Sequence, residues 1–330
     1  MGVVEKLQFY KLGVPTIGPR RFFAAAFFVI IALAASARAI GWGPTDFLIG
    51  GGTAAFTNRI GVFDSNLNFK GYLDSSFLGT AGMDFDSAGH LVAVSWALHE
   101  VRVYDSTGAR IGGFVRPDNA ISASADLKVA PNGDYIIGQT NSSGADGARR
   151  FSPDGTFLQQ YGSGEVRGVA VVPGDTLWTG RIGSSVVTTF SITGGLETGS
   201  LQLAGPDGVF SMRFDGSTGD VLISDASTGS VYECDLAGNV GHVFNAAAQG
   251  HHLGSGVRGP DGDLFATTGT DQTVLRWHAD GTFVGSYSTS AFGGVAGIVW
   301  AGSVPEPSGG ALLVMAALIA GTRSGWRVLG

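Results

Sequence analysis

Apolar and polar residues alternate in a recurring pattern between residues 40 and 303. A strand-like apolar run is followed by a polar turn with glycine and then by a second apolar run, which is the pattern of a β-hairpin. The turn glycines are Gly89, Gly133, Gly174, Gly219 and Gly262, separated by 44, 41, 45 and 43 residues. A period of about 40 to 50 residues is typical of propeller blades. A further hairpin follows in each period, so each period predicts four strands.

The two ends of the repeat region are incomplete and complement each other. Residues 47–51 and the hairpin at 59–73 supply the second, third and fourth strands of a blade that lacks a first strand. Residues 295–300 form a first strand with no hairpin after it. We therefore predict an all-β, six-bladed propeller closed by pairing of the N- and C-terminal strands, because closure protects the sheet edges.

Charge and cysteine content exclude several classes of protein. The chain has a net charge of −7, and residues 40–303 contain 25 acidic residues against 13 Lys and Arg. Such a surface repels phosphate backbones, so we expect no nucleic-acid partner. Cys234 is the only cysteine, which excludes an internal disulfide and a CxxC metal motif. We expect it to be a small buried hydrophobic residue.

The N-terminal segment has the organisation of a signal peptide. Arg20 and Arg21 precede an apolar, helix-compatible run at 22–35, which is too short for a comfortable membrane span. Ala37 and Ala39 then fit the small-residue pattern of signal-peptidase cleavage. We predict a signal peptide at 1–39, cut after Ala39. An uncleaved anchor is the alternative, and the arginine pair leaves the Sec and Tat routes both open.

The C-terminal segment at 304–330 combines a proline motif, an apolar helix-compatible stretch at 309–321 and a basic end. The motif and basic residues are Val304, Pro305, Glu306, Pro307, Ser308, Arg323 and Arg327. This segment resembles the PEP-CTERM sorting signal. The resemblance implies processing by an exosortase-type membrane enzyme in bacteria that make extracellular polysaccharide. An ordinary C-terminal membrane anchor is the alternative.

The repeat sequences, for example VLISDASTGSVYECDLAGNVGHVF at 221–244, resemble the NHL repeat. The gluconolactonase-like and streptogramin-lyase-like six-bladed propellers are relatives of that repeat. The resemblance covers about 260 residues and implies the fold of the domain at 40–303, which does not by itself fix a function. The gluconolactonase-like relatives imply a divalent ion in the channel held by Glu, Asn and Asp. That ligand set matches no positions of this sequence residue by residue.

The connections of a four-stranded blade divide between two faces of the disc. Turns between strands one and two, and between three and four, lie on what we call the turn face. There Asp86, Asp154, Asp215, Asp261 and Asp280 are predicted to cap their own turns. The longer connections lie on the opposite side, the loop face, where we predict the ligand site. Its candidate residues are Trp96, His99, Asn141, Arg181, Asp225, His251, His252 and Asp271.

No nucleophile elbow, HExxH helix or Walker loop occurs in a usable context. We therefore expect a non-catalytic binding or scaffold propeller, exported to the cell surface or extracellular matrix, with no catalytic residue and no cofactor. Signal peptidase and the exosortase-type enzyme are its expected processing partners, and a glycan or an envelope protein is its expected ligand. The alternative is a secreted, lactonase-like hydrolase or lyase with a divalent cation in the channel. A third interpretation is a permanently anchored sensor propeller.

Overall fold

The computed structural model describes residues 40–51, 59–116, 124–140, 147–247, 251, 253–269, 271–289 and 294–303. These residues form 24 strands in six four-stranded antiparallel sheets. The predicted all-β, six-bladed propeller is thereby confirmed. Within these ranges no helix has the length and apolar character that a membrane crossing needs. The predicted signal helix and C-terminal hydrophobic helix lie outside the described residues.

The four strands of each blade follow one another outward from the central channel. From inside to outside, blade 1 comprises β24 (Val295–Trp300), β1 (Phe47–Gly51), β2 (Ile60–Phe63) and β3 (Phe69–Asp74). Blade 2 comprises β4 (Thr80–Phe85), β5 (Leu91–Ser95), β6 (Glu100–Tyr104) and β7 (Arg110–Val115). Blade 3 comprises β8 (Ser124–Val129), β9 (Tyr135–Gln139), β10 (Ala148–Phe151) and β11 (Phe157–Tyr161).

The remaining blades follow the same order without interruption. Blade 4 comprises β12 (Gly168–Val172), β13 (Thr176–Gly180), β14 (Val186–Ser191) and β15 (Glu197–Gln202). Blade 5 comprises β16 (Val209–Asp215), β17 (Asp220–Asp225), β18 (Ser230–Cys234) and β19 (Val240–Asn245). Blade 6 comprises β20 (Gly256–Arg258), β21 (Leu264–Thr267), β22 (Thr273–Trp277) and β23 (Phe283–Ser288).

The ring closes through the pairing of the first and last strands. β24 runs antiparallel to β1, with Phe47 opposite Trp300 and Leu48 opposite Val299. Every residue of β1 is buried, and β24 is buried up to Trp300. The predicted sixth blade made from both ends of the repeat region is therefore present, and β24 covers the inner edge that β1 would otherwise expose.

The hydrophobic core lies between neighbouring sheets. Strand β5 is buried along its whole length, whereas the outermost strand of the same blade, β7, is largely exposed. One cluster joins Val92 and Val94 of blade 2 to Leu127 and Ile137 of blade 3. Cys234 is buried as expected, and burial raises the pKa of its thiol to about 12. The propeller is thus stabilised by apolar packing between blades rather than within any one sheet.

The acidic turns on the turn face are organised by their own carboxylates. Asp86 accepts hydrogen bonds from the backbone N–H groups of Ala88 and His90. The carboxylates of Asp154, Asp215 and Asp280 accept equivalent bonds within their turns. The predicted capping role is confirmed for these four residues. Asp261 instead adopts a left-handed conformation, with φ at 63°, in the short 3-10 turn at Pro260–Gly262.

Candidate functional site

The innermost strands leave one backbone edge facing the central channel, and those polar groups need partners. Asp126 of β8 is 2% exposed. Its carboxylate is the hydrogen-bond partner of backbone groups in two other inner strands. Its Oδ2 accepts the N–H groups of Val169 in β12 and Met212 in β16, each at 3.2 Å. The hydroxyl of Ser211 donates to the same oxygen at 3.2 Å. One carboxylate therefore connects the inner strands of blades 3, 4 and 5.

Lys128 lies beside Asp126 on the same strand. Its Nζ is 2.5 Å from Asp126 Oδ1 and donates to the carbonyl of Leu127 at 3.0 Å. Burial lowers the pKa of the Lys128 ammonium, and the negative charge of Asp126 acts in the opposite direction. A buried ammonium is tolerated when it is paired and hydrogen-bonded in this way.

A second ion pair crosses the channel between blades 5 and 2. Nη1 of Arg213, on β16, donates to Asp84 Oδ1 at 2.9 Å, and its Nη2 donates to the carbonyl of Met83 at 2.9 Å. The other oxygen of Asp84 accepts the N–H of Val129 at 3.0 Å. The inner strands of blades 2 and 3 approach so closely here that a Cβ added to Gly82 would lie 2.2 Å from Leu127 N. The charges of the channel thus hold the inner strands of blades 2, 3 and 5 together.

Arg258, at the end of β20, forms a third buried cluster at the boundary between blades 5 and 6. Its Nη2 donates to Glu233 Oε1 at 2.5 Å, and its Nη1 donates to the carbonyl of Gly262 at 2.8 Å. Its Nε lies 3.2 Å from Asp215 Oδ2. That contact has the separation of an ion pair but lacks hydrogen-bond alignment, since both atoms are without a hydrogen-bond partner. Arg258 therefore links the inner strand of blade 6 to two strands of blade 5.

A cavity of about 500 Å³ opens at the turn-face end of the channel. Its volume lies within the roughly 300–1,000 Å³ of small-molecule sites. Its lining combines the three charged clusters with apolar side chains. The lining residues include Asp84, Phe85, Asp86, Ser87, Lys128, Pro131, Arg213, Phe214, Asp215, Arg258 and Ser303. This cavity is on the face opposite to the one where we predicted the ligand site.

On the loop face, the structure brings two of the predicted residues together. His251 precedes β20, and Asp271 lies between β21 and β22. His251 Nδ1 is 2.8 Å from Asp271 Oδ2, and the two side chains are 23% and 44% exposed. The carboxylate fixes the orientation of the imidazole ring. The pair could therefore form a hydrogen bond to a ligand through the other ring nitrogen of His251.

Asp225 is also on the loop face, at the end of β17, but its side chain is fully buried. One carboxylate oxygen accepts the N–H groups of Ser227 at 2.7 Å and Thr228 at 3.0 Å. The other accepts those of Asp207 at 2.5 Å and Gly208 at 3.0 Å. This carboxylate holds two adjacent connections in place and has little capacity left for a ligand.

The remaining described candidates belong to other blades. Trp96 follows β5 and packs its indole over Gly79, where an added Cβ would lie 2.0 Å from Trp96 Nε1. His99 is half-buried with φ at 51°. Arg181 follows β13 with an exposed side chain, and its carbonyl accepts the N–H of Val209 at 3.1 Å. Of these three, Arg181 presents the most accessible charged group.

Several predicted residues lie outside the described residues. These are Asn141 and His252 of the loop face, Ala37 and Ala39 of the cleavage site, and Val304, Pro305, Glu306, Pro307, Ser308, Arg323 and Arg327 of the sorting segment. Across the described ranges, no three His, Cys, Asp or Glu side chains gather in a group that could hold a metal ion.

Sequence reasoning missed the charged residues of the channel. Asp84, Asp126, Lys128 and Arg213 lie within innermost strands, next to apolar neighbours such as Met83. A charged residue inside a strand that is otherwise apolar is costly to bury without a partner. Charged residues within apolar innermost strands were therefore the feature of the sequence that could have indicated these channel-lining residues.

No protein-family model and no curated protein matches the chain. Solved structures do match it. A chain of the nidogen–laminin complex aligns with a TM-score of 0.62 and 15% identity, over 77% of this chain and 97% of that chain. A protein of unknown function from Bacteroides caccae aligns with a TM-score of 0.58 and 14% identity, over 78% and 98%. Virginiamycin B lyase from Staphylococcus aureus aligns with a TM-score of 0.53 and 13% identity, over 75% and 86%. At these identities, the similarity establishes the propeller fold and nothing narrower.

Proposed function

We propose that this chain is an exported binding or scaffold propeller of the cell surface or extracellular matrix, without catalytic activity. Its export rests on the signal-like segment at 1–39, and its sorting rests on the PEP-CTERM-like segment at 304–330. A single observation carries the non-catalytic part of the proposal. The channel carboxylates Asp84 and Asp126 are already engaged by ion pairs and by backbone N–H groups.

An acid or base in catalysis must exchange a proton with its substrate or hold a reacting group. Asp126 accepts hydrogen bonds from two neighbouring inner strands and from Lys128. Neutralising the carboxylate of Asp126 would leave the ammonium of Lys128 buried and unpaired. These contacts favour a structural role for the channel centre and leave ligand binding to exposed groups elsewhere on the disc.

The structural neighbours are compatible with this function but do not select it. The same fold occurs in a chain of the nidogen–laminin complex and in virginiamycin B lyase. A six-bladed propeller therefore serves partner binding in some proteins and catalysis in others. For this chain, the ligand we propose is a glycan or an envelope protein bound at the loop face.

A second candidate function is a secreted hydrolase or lyase that uses a divalent cation. The observation that favours it is the partly exposed His251–Asp271 pair, because a histidine oriented by a carboxylate is an arrangement used in acid–base catalysis. The test is elemental analysis of the mature exported protein, followed by thermal unfolding with Mg²⁺, Ca²⁺, Mn²⁺ and Zn²⁺. The binding proposal predicts no bound metal and no saturable rise in Tm. A saturable rise that disappears in His251→Ala would favour the enzyme instead.

Export has its own test, because the signal segment predicts a defined cleavage. Replacing both small residues, as Ala37→Leu with Ala39→Leu, should block signal peptidase. We expect the double variant to accumulate as a membrane-bound precursor, while the wild-type chain is exported and shortened. Fractionation and immunoblotting measure both properties. Identical size and location for the two proteins would contradict a cleaved signal peptide.

A further inference from the structure

Both ends of the propeller lie on the turn face. In blades 2 to 6, the innermost strand is connected to its neighbour by a turn on this face, but blade 1 has two chain ends in that position. β1 begins at Phe47 directly opposite Trp300, where β24 ends. The N–H of Ala301 donates to the carbonyl of Asp46 at 2.9 Å, which fixes the two ends beside each other.

The chain before β1 also stays on the turn face. The N–H of Trp42 donates at 3.0 Å to the carbonyl of Ser106, in the turn between β6 and β7. The Trp42 ring lies 6.2 Å from that of Phe85, which ends β4 on the same face. Asp46 is buried and pairs with Lys70 at 2.6 Å. The segment therefore reaches the ring across the turn face and not from the loop face.

The link from the propeller to the C-terminal apolar stretch is short. Ser303 lines the turn-face cavity, and the apolar stretch begins at Gly309. The five intervening residues can span at most about 18 Å when fully extended. Pro305 and Pro307 restrict the backbone further. A link of this length cannot pass around the disc to bring the loop face to a membrane.

We infer that, while the C-terminal segment holds the chain in a membrane, the turn face is directed toward the lipid surface and the loop face is directed away from it. This inference rests on the proposed function, because it requires the apolar stretch to be membrane-inserted. Its consequence is that a macromolecular partner reaches the loop face first. The turn-face cavity stays screened by the bilayer until the tail is cut.

The charge of the turn face determines how closely the propeller approaches the lipid surface. Hydrogen bonds within the turns hold the pKa values of Asp105, Asp154, Asp235 and Asp280 below the ordinary value, so these carboxylates stay ionised at neutral pH. An anionic bilayer repels such a face over roughly one Debye length, about 8–10 Å at physiological salt. The propeller therefore stands off the membrane at the end of its link and does not adhere to it.

The native chain is well suited to a cysteine-labelling test of this orientation. Cys234 is buried, and its thiol pKa of about 12 leaves it protonated at neutral pH, so wild-type background labelling is low. Ala88 and Ala237 are exposed on the turn face. Ser163 and Ala204 are exposed on the loop face and provide matched controls.

The experiment uses the full-length chain on spheroplasts of a bacterium without an exosortase-type enzyme. Each variant, Ala88→Cys, Ala237→Cys, Ser163→Cys or Ala204→Cys, is labelled with a bulky polyethylene-glycol maleimide, on the membrane and again in detergent. We expect the two turn-face cysteines to react several-fold more slowly on the membrane than in detergent. The two loop-face cysteines should react at the same rate in both. A small maleimide should label all four cysteines at similar rates.

Two results would overturn the inference, and they are distinguishable. Equal membrane and detergent rates on both faces, in a protein that floats with the membrane fraction, would refute the orientation alone. A protein that does not float with membranes would refute the orientation and also the membrane-inserted tail on which the proposed function depends.

Discussion

The channel and the loop face both carry charged side chains, but the channel charges are buried and the His251–Asp271 pair of the loop face is partly exposed. In the channel, Asp126 is 2% exposed and bonds to a lysine and to two neighbouring strands. On the loop face, the Asp271 side chain is 44% exposed and pairs with His251. Buried charges must be compensated inside the protein, whereas exposed charges are compensated by water. The comparison assigns the channel charges to architecture and leaves the exposed loop-face charges of His251 and Asp271 accessible from solvent.

Removing the central channel carboxylate should have the largest effect. Asp126→Ala leaves Lys128 buried without its partner and leaves the N–H groups of Val169 and Met212 unbonded. Breaking a buried pair in this way costs about 3–5 kcal/mol. We expect a loss of this size in the free energy of unfolding, measured by urea titration. The loop-face control, Asp271→Ala, should change it by no more than about 0.5 kcal/mol. Similar losses in the two variants would remove the distinction between the regions.

Asp225 separates the effect of burial from the effect of location, because it lies on the loop face but is buried like a channel residue. Its carboxylate accepts four backbone N–H bonds. We expect Asp225→Ala to lower the free energy of unfolding by about 1–3 kcal/mol, the usual cost of leaving buried donors unpaired. His251→Ala, on the same face, should be close to wild type in the same urea titration. If Asp225→Ala were equally neutral, burial would not be the property that separates the two groups.

Acidification should produce a smaller effect through Asp74, which links blade 1 to blade 2. Burial raises the pKa of Asp74, but hydrogen bonds from Tyr104, Ser76 and Arg102 outweigh it and hold the pKa below 3.8. A carboxylate with a lowered native pKa stabilises the fold above its unfolded pKa, and that contribution is lost as the pH falls through the native value.

The matched variant for this pH dependence is Asp74→Asn, which cannot titrate at that position. We expect it to be less stable than wild type at neutral pH, and the difference should shrink below about pH 4. Thermal unfolding across that pH range measures this. A stability difference that stays constant with pH would show that the carboxylate charge contributes nothing.

The fold could be predicted from the sequence because the signals are local and repeated. Each of blades 2 to 6 carries its own alternation and its own turn glycine. Strand β24, which has no hairpin after it, could pair only with β1, which lacks a preceding strand. The channel pairs could not be predicted in this way. Arg213 and Asp84 are 129 positions apart and meet only because the ring closes. His251 and Asp271 were both predicted, but their contact depends on how two separate connections of blade 6 fold.

We propose that this chain is an exported propeller that is processed at both ends. Intact mass spectrometry of the protein released by a producing bacterium tests it most directly. We expect a chain that begins at Ile40 and lacks the C-terminal residues that include Arg323 and Arg327. A single species with the mass of residues 1–330 would contradict this proposal.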